Sequence, residues 1–290
     1  MKKIFQFLGI ALIGIANAQS SGNRFFYELT YKPHKDSVKF EKEMMILDIE
    51  DKRSVYQSYE LVMIDSISNK MILNAQKTDV MLDFNKIPVS KIKFTHRIFK
   101  SLPVKEIIYS DQIFSNTYYY HEIPELIWQI NNEKEKIGTY DTQKAFLNYG
   151  GRKWTAWFTT EIPIQDGPYK FYGLPGLIVK IEDEGKNYSW ELKGNRKIDH
   201  MQDVLYLDKL NKQTGINKSK ELSKEKFTEL YENYKKDPFA DIRRMASQLP
   251  ADIKMPDGSS ITESMREANK KLKEELNRTN NSIEVNFKNK

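Results

Sequence analysis

Two-residue alternation runs through this chain from Phe25 to about Asp208, and it limits the fold more than any other feature. Phe25, Tyr27, Leu29 and Tyr31 alternate with Phe26, Glu28, Thr30 and Lys32. Successive strand side chains point to opposite faces, so such a stretch is a strand with one apolar face. Val38–Glu41 keeps the habit, and Met44–Ile49 is a fuller apolar run. Ser54–Ile64 resumes it after the charged break Glu50-Asp51-Lys52-Arg53. Further strands are predicted at Lys91–Phe99, Glu106–Tyr109, Phe114–His121, Leu126–Asn132, Gly138–Asn148 and Lys153–Thr160. Asn69–Phe84 fits neither the strand nor the helix period. Gly150-Gly151 supplies a tight turn, because glycine takes positive φ without steric cost. Leu177–Glu182 and Tyr188–Lys193 form a hairpin across Asp183–Asn187. The pattern is that of an antiparallel meander.

The period changes near Ser219. Phe227, Leu230, Tyr231 and Tyr234 fall at helical spacing, as do Phe239, Ile242, Met245 and Leu249 up to Pro250. Ser260 and Glu263 fit a capping box at the start of a third helix. Its narrow stripe of Ile261, Met265, Ala268, Leu272 and Leu276 suits a helix lying on a surface. Ile283, Val285 and Phe287 close the chain with a short alternation. The expected fold is α+β, mainly β: one extended, curved antiparallel sheet with C-terminal helices. Three regions follow: residues 1–18, an antiparallel β domain over 19–210, and a helical extension over 211–290.

Residues 1–18 have the form of a signal peptide. Lys2 and Lys3 precede an apolar run from Ile4 to Ile15, and Ala16-Asn17-Ala18 suits cleavage after Ala18. The run is too short to span a bilayer, which needs about 20 helical residues. Export is the expectation, to the periplasm or on to the outer membrane or medium. The chain has no Cys, which excludes disulfides and thiolate chemistry. Net charge is +6, but the charges are interleaved, as in Glu133-Lys134-Glu135-Lys136. Nucleic-acid binding needs cations gathered on one face, so it is not expected.

Trp154–Asp183, reading WTAWFTTEIPIQDGPYKFYGLPGLIVKIED, is the most distinctive stretch. Trp154, Ala156 and Phe158 make one apolar face. The other carries Trp157 between Thr155 and Thr159; its indole either packs under the C-terminal helices or is a stacking platform for a ligand. Pro163 and Asp166-Gly167-Pro168 interrupt pairing. Leu174-Pro175-Gly176-Leu177 has the chemistry of a type II turn, with proline first and a positive-φ glycine second. Gly173 suits a close backbone approach, and Leu174, Leu177 and Ile178 offer apolar surface to hold the turn down. The stretch Gly173-Leu174-Pro175-Gly176-Leu177-Ile178, with Glu161-Ile162-Pro163 and Gly167-Pro168 upstream, resembles the signature of the GLPGLI family of exported bacterial proteins. Thr139–Ala145 and Gly151-Arg152 resemble its preceding block, where members often carry a cysteine; Thr142 stands at that position here. The resemblance implies an exported, mainly antiparallel β protein of uncharacterised function, with no catalytic residues to carry over.

Little else points to chemistry. His34, His96, His121 and His200 form no metal-ligand spacing, and neither a cofactor motif nor a nucleophile elbow is present. Paired carboxylates, Glu161 with Asp166 or Glu182 with Asp183, could serve a glycosidase-like mechanism if held about 5–9 Å apart. Aromatics make up 12% of the chain, and Trp157, Tyr169, Tyr172 and Trp128 are the candidate binding residues. The expected function is a non-catalytic binding or accessory protein of the envelope, whose partner is an envelope protein, peptide or glycan. The alternative is an envelope hydrolase acting on peptide or glycan through those carboxylates.

Overall fold

A computed structural model describes residues 22–78, 92–114, 116–206, 208–209, 219–240, 243–244 and 261–285. Residues 1–18, most of the segment 239–249 and Ser260 of the Ser260–Glu263 box lie outside them. One mixed sheet organises the chain. Its strands are β1 (Gly22–Tyr31), β2 (Glu41–Glu50), β3 (Arg53–Ser58), β4 (Arg97–Ser101), β5 (Ile107–Ile113), β6 (Asn116–Glu122), β7 (Gln129–Ile137), β8 (Tyr140–Tyr149), β9 (Arg152–Thr159), β10 (Leu177–Asp183), β11 (Tyr188–Ile198) and β12 (Lys220–Glu221). Their order is β12-β6-β5-β4-β3-β2-β1-β11-β10-β9-β8-β7. Among the described residues every pairing is antiparallel except β12 with β6.

That order forces the sheet to roll. β6 and β7 follow one another in sequence but lie ten strand spacings apart in the sheet. Flat, they would be separated by almost ~50 Å at about 4.8 Å per spacing. The linker Ile123–Trp128 reaches no more than about 25 Å. The right-handed twist between neighbouring strands, about 20–25° each, supplies the curl that brings the two ends together.

The rolled sheet has an inner and an outer face. Phe25, Tyr27, Leu29 and Tyr31 of β1 are buried on the inner face with Met45, Leu47, Leu147, Trp154, Ala156, Phe158 and Trp190. Tyr169, Phe171 and Leu174, from the β9–β10 connection over residues 160–176, belong to the same cluster. The outer face carries helix α1 (Tyr59–Thr78), where Val62 packs with Ile46 and Leu205. Arg97 ties this face to the segment after β11 by donating to Gln57 Oε1 (2.9 Å), Asp208 Oδ2 (3.1 Å) and Asp203 O (2.6 Å).

Of the strand reading of Ser54–Ile64, β3 holds the part up to Ser58, and helix α1 corrects the rest from Tyr59. Ser58 Oγ accepts from Leu61 N at 3.3 Å and starts the helix. Val62, Asp65, Ser68 and Ile72 are then buried at intervals of three and four. The β-branched Val62, Ile64 and Ile67 gave the stretch its strand-like composition. Helix α2 (Lys224–Lys236) begins at Ser223, whose side chain accepts from Lys226 N. Its Phe227 packs on Ile113 and Tyr120. Helix α3 (Ile261–Arg278) lies beside α2. The fold is thus mostly β, with three long helices among the described residues, two of them C-terminal.

Candidate functional site

The connection 160–176 is seated by hydrogen bonds that cross the inside of the sheet. Tyr27 OH donates to Ile178 O at 2.7 Å. Ser54 Oγ donates to Asp166 Oδ2 at 2.5 Å. Lys100 Nζ pairs with Asp166 and donates to Gly167 O (2.8 Å) and Tyr169 O (3.2 Å). Lys100 and Asp166 are both fully buried. Burial lowers the Lys100 ammonium below its ordinary range, and Asp166 opposes that shift. A charge survives burial when its donors are satisfied, and these acceptors satisfy this one.

The two glycines of Gly173–Ile178 exchange the roles expected of them. Positive φ falls at Gly173 (φ 92), not at Gly176. Gly176 N donates to Leu174 O at 2.7 Å, closing a three-residue turn around Pro175. Any Cβ on Gly176 would lie 2.0 Å from Thr159 O. Gly176 is therefore required because backbone passes against backbone. Gly150 and Gly151 do both have positive φ (61 and 78), as a two-residue hairpin loop demands.

Lys170 is the centre of the buried polar cluster. It is fully buried, pairs with Glu122, and donates to Glu284 Oε1 (2.6 Å) and Tyr120 OH (3.0 Å). The rings of Tyr109, Tyr120 and Tyr169 surround its ammonium at 4.8, 5.3 and 5.5 Å. Lys224, from the first turn of α2, approaches Glu122 Oε2 (2.6 Å) and Glu284 Oε2 (3.4 Å). Burial alone would raise the Glu284 carboxyl, but Lys170 and Lys224 hold it down at about 2. His96 stacks between Tyr56 and Tyr109. Burial, reinforced by Lys170, lowers it to about 3 and keeps it neutral. Its Nε2 has no hydrogen-bond partner among the described residues.

The four aromatic candidates occupy three places. Trp157 faces outward, under the side chains of Lys144 and Lys180, with Nε1 donating to Glu135 Oε2 at 2.9 Å. Lysine stems, and not the C-terminal helices, are its cover. Tyr169 is inside, stacked on Trp190, with its hydroxyl donating to Glu284 at 2.7 Å. Trp128 and Tyr172 meet at the seam of the roll. There Trp128 Nε1 donates to Tyr172 O, and Tyr172 OH donates to Pro124 O, both at 2.8 Å.

Each carboxylate nominated for hydrolysis has a partner of its own. Asp166 is held by Lys100, Asp183 by Arg152 (3.0 Å), and Glu182 by Lys180 (3.3 Å). Glu161 accepts from Asp141 N at 2.9 Å. Among the described residues no three histidine or acidic side chains form a metal-binding group. His121 lies beside Glu106 (3.1 Å), in a shallow cleft of about 440 Å³ shared with Glu221, Leu222, Ser223 and Lys226.

Sequence reasoning singled out His121-Glu122 beside Tyr118-Tyr119-Tyr120 but missed Lys100, Lys170 and Glu284. The available signal was a lysine flanked by Tyr169 and Phe171 in an apolar run. A surface lysine reads identically, and its counter-ions come from β6 and from beyond α3. The closing alternation is also corrected: Ile283 and Glu284 are both buried, and residues 281–285 form no strand.

Over residues 149–180 the chain matches a family described as a protein of unknown function (Porph_ging). This interval holds the Gly150-Gly151 turn, β9 and the seated connection. No curated protein matches. Among solved structures, two of PNGF-II, in the C2 and P21 space groups, are similar at 13% identity with TM-scores of 0.48 and 0.47. Each match covers 73% of this chain. The chain spans about a third of their length, 32% and 33%.

Proposed function

We propose that this chain is an exported, non-catalytic binding or accessory protein of the periplasm or cell envelope, serving an envelope protein, peptide or glycan. One observation carries the reading: the aromatic inner face of the sheet is filled by the chain's own residues 160–176. Binding is then left to the outside. Among the described residues an apolar exposed stretch lies at the seam, where Ile123, Ile127 and Ile130 are 73%, 68% and 51% exposed. Exposed isoleucines grouped beside half-buried aromatics suit an apolar partner surface. No described helix is long and apolar enough to cross a membrane, so membrane attachment through such a helix is not part of the proposal.

The test is a pulldown from envelope extract with the chain lacking residues 1–18. One stoichiometric partner is expected, retained by the wild type and lost by the Ile123→Ser/Ile127→Ser variant. Turnover of a peptide or glycan that Glu161→Gln or Asp166→Asn abolishes without unfolding the protein would overturn the reading.

A further inference from the structure

We infer that Asn280–Val285 occupies a receptor groove for an extended acidic peptide, and that a peptide carrying Asn-x-x-Glu in trans can take the same seat. The groove goes beyond the binding reading above, and lies apart from the Ile123–Ile130 seam. The segment belongs to no helix or strand, yet the β domain reads it along its length. Asn281 N donates to Pro33 O (3.2 Å) and Val285 N to Gly150 O (2.7 Å). Asn281 Nδ2 donates to Lys32 O at 2.9 Å. Arg152 donates to Asn281 Oδ1 (2.8 Å), Ser282 O (2.7 Å) and Ile283 O (2.8 Å). Glu284 Oε1 accepts from Tyr169 OH (2.7 Å) and Lys170 Nζ (2.6 Å), with Lys224 near Oε2.

Proteins capture peptides in this way: main-chain bonds hold the segment while fixed partners read particular side chains. Two side chains supply the specificity, an amide read by Arg152 and a carboxylate read by two cations and a phenol. Charge-assisted bonds of this kind are the strong ones. The floor is shaped for its occupant, since a Cβ on Gly150 would lie 2.9 Å from Glu284 Cγ and 3.2 Å from its Cα. Tethered in cis, the segment competes at an effective concentration on the order of millimolar, so a free peptide binds only once the tethered copy is weakened.

The experiment uses the full chain carrying Asn281→Ala and Glu284→Ala, with a labelled, end-blocked hexapeptide Asn-Asn-Ser-Ile-Glu-Val as probe. Fluorescence anisotropy should show binding to the variant at least about tenfold tighter than to the wild type, and a loss of about tenfold when the peptide's Glu is Gln. A folded variant that binds the peptide no better than the wild type overturns the inference. If the variant does not fold, hydrogen exchange on the wild type decides. Asn281 and Val285 amides exchanging at least about tenfold faster than β1 amides support a reversible occupant. Exchange as slow as that of β1 overturns it.

Discussion

At the residue scale, the buried His96 and the half-buried Asp111 make opposite demands on pH. Unfolded His96 takes up a proton near 6.5 that the folded residue refuses until about 3. It therefore costs the folded state stability as pH falls through that window. Asp111 behaves inversely. Partial desolvation raises it to about 6 against hydrogen bonds from Thr95, Gln112 and Tyr109, so the folded state gains its proton first and gains stability as pH falls from about 6 to 4. Each contribution changes by up to about 1.4 kcal/mol per pH unit. The two residues flank Tyr109, which stacks on His96 and reaches Asp111 Oδ2 at 3.4 Å. Urea unfolding between pH 6.5 and 4.5 should show His96→Leu gaining on the wild type as pH falls, and Asp111→Asn losing ground; parallel curves would contradict both assignments. Gly176→Ala should cost at least about 2 kcal/mol, because backbone must move. Gly138→Ala should cost only about 1 kcal/mol, because its Cβ meets no atom within 4 Å and only the positive φ (58) is strained. Equal losses for the two would contradict the packing account.

At the scale of elements, β7 shows how an open sheet keeps its edge to itself. Antiparallel partners share a face. A two-fold pairing of β7 with β7 of a second copy therefore sets lysine against lysine on one face and glutamate against glutamate on the other. Glu133, Lys134, Glu135 and Lys136 thus block the pairing that a free edge invites. Lys134→Thr/Lys136→Thr should form concentration-dependent oligomers by light scattering, whereas a strictly monomeric variant would contradict this role. The same scale shows what was readable in advance. β1, β9, β10, β11 and the Gly150-Gly151 turn follow from alternation and glycine chemistry, because both act within a few residues. Helix α1 was hidden because its Val and Ile carry strand preference, which the outer face of β2 and β3 overrides. The seat of residues 160–176 was unreadable for another reason. Asp166 meets Ser54 and Lys100, and Lys170 meets Glu122 and Glu284, across separations that no local pattern reports.

For the whole molecule, one arrangement accounts for the rest. The short β6–β7 linker rolls the sheet, the rolled sheet needs contents, and residues 160–176 supply them, anchored by two fully buried lysines, Lys100 of β4 and their own Lys170. Broken singly, each anchor would strand a buried counter-charge, at a cost of about 3–5 kcal/mol. The connection should therefore behave as core and not as a mobile lid. Residue-resolved hydrogen exchange on the intact protein tests this most directly, at the amides of Phe171, Gly173 and Ile178, which donate to Pro168, Gln165 and Asp166 carbonyls. These amides should exchange only through global unfolding, with the same free energy as those of β1. Fast exchange of the connection while β1 stays protected would mean that the interior opens on its own, and the account of a permanently filled sheet would be wrong.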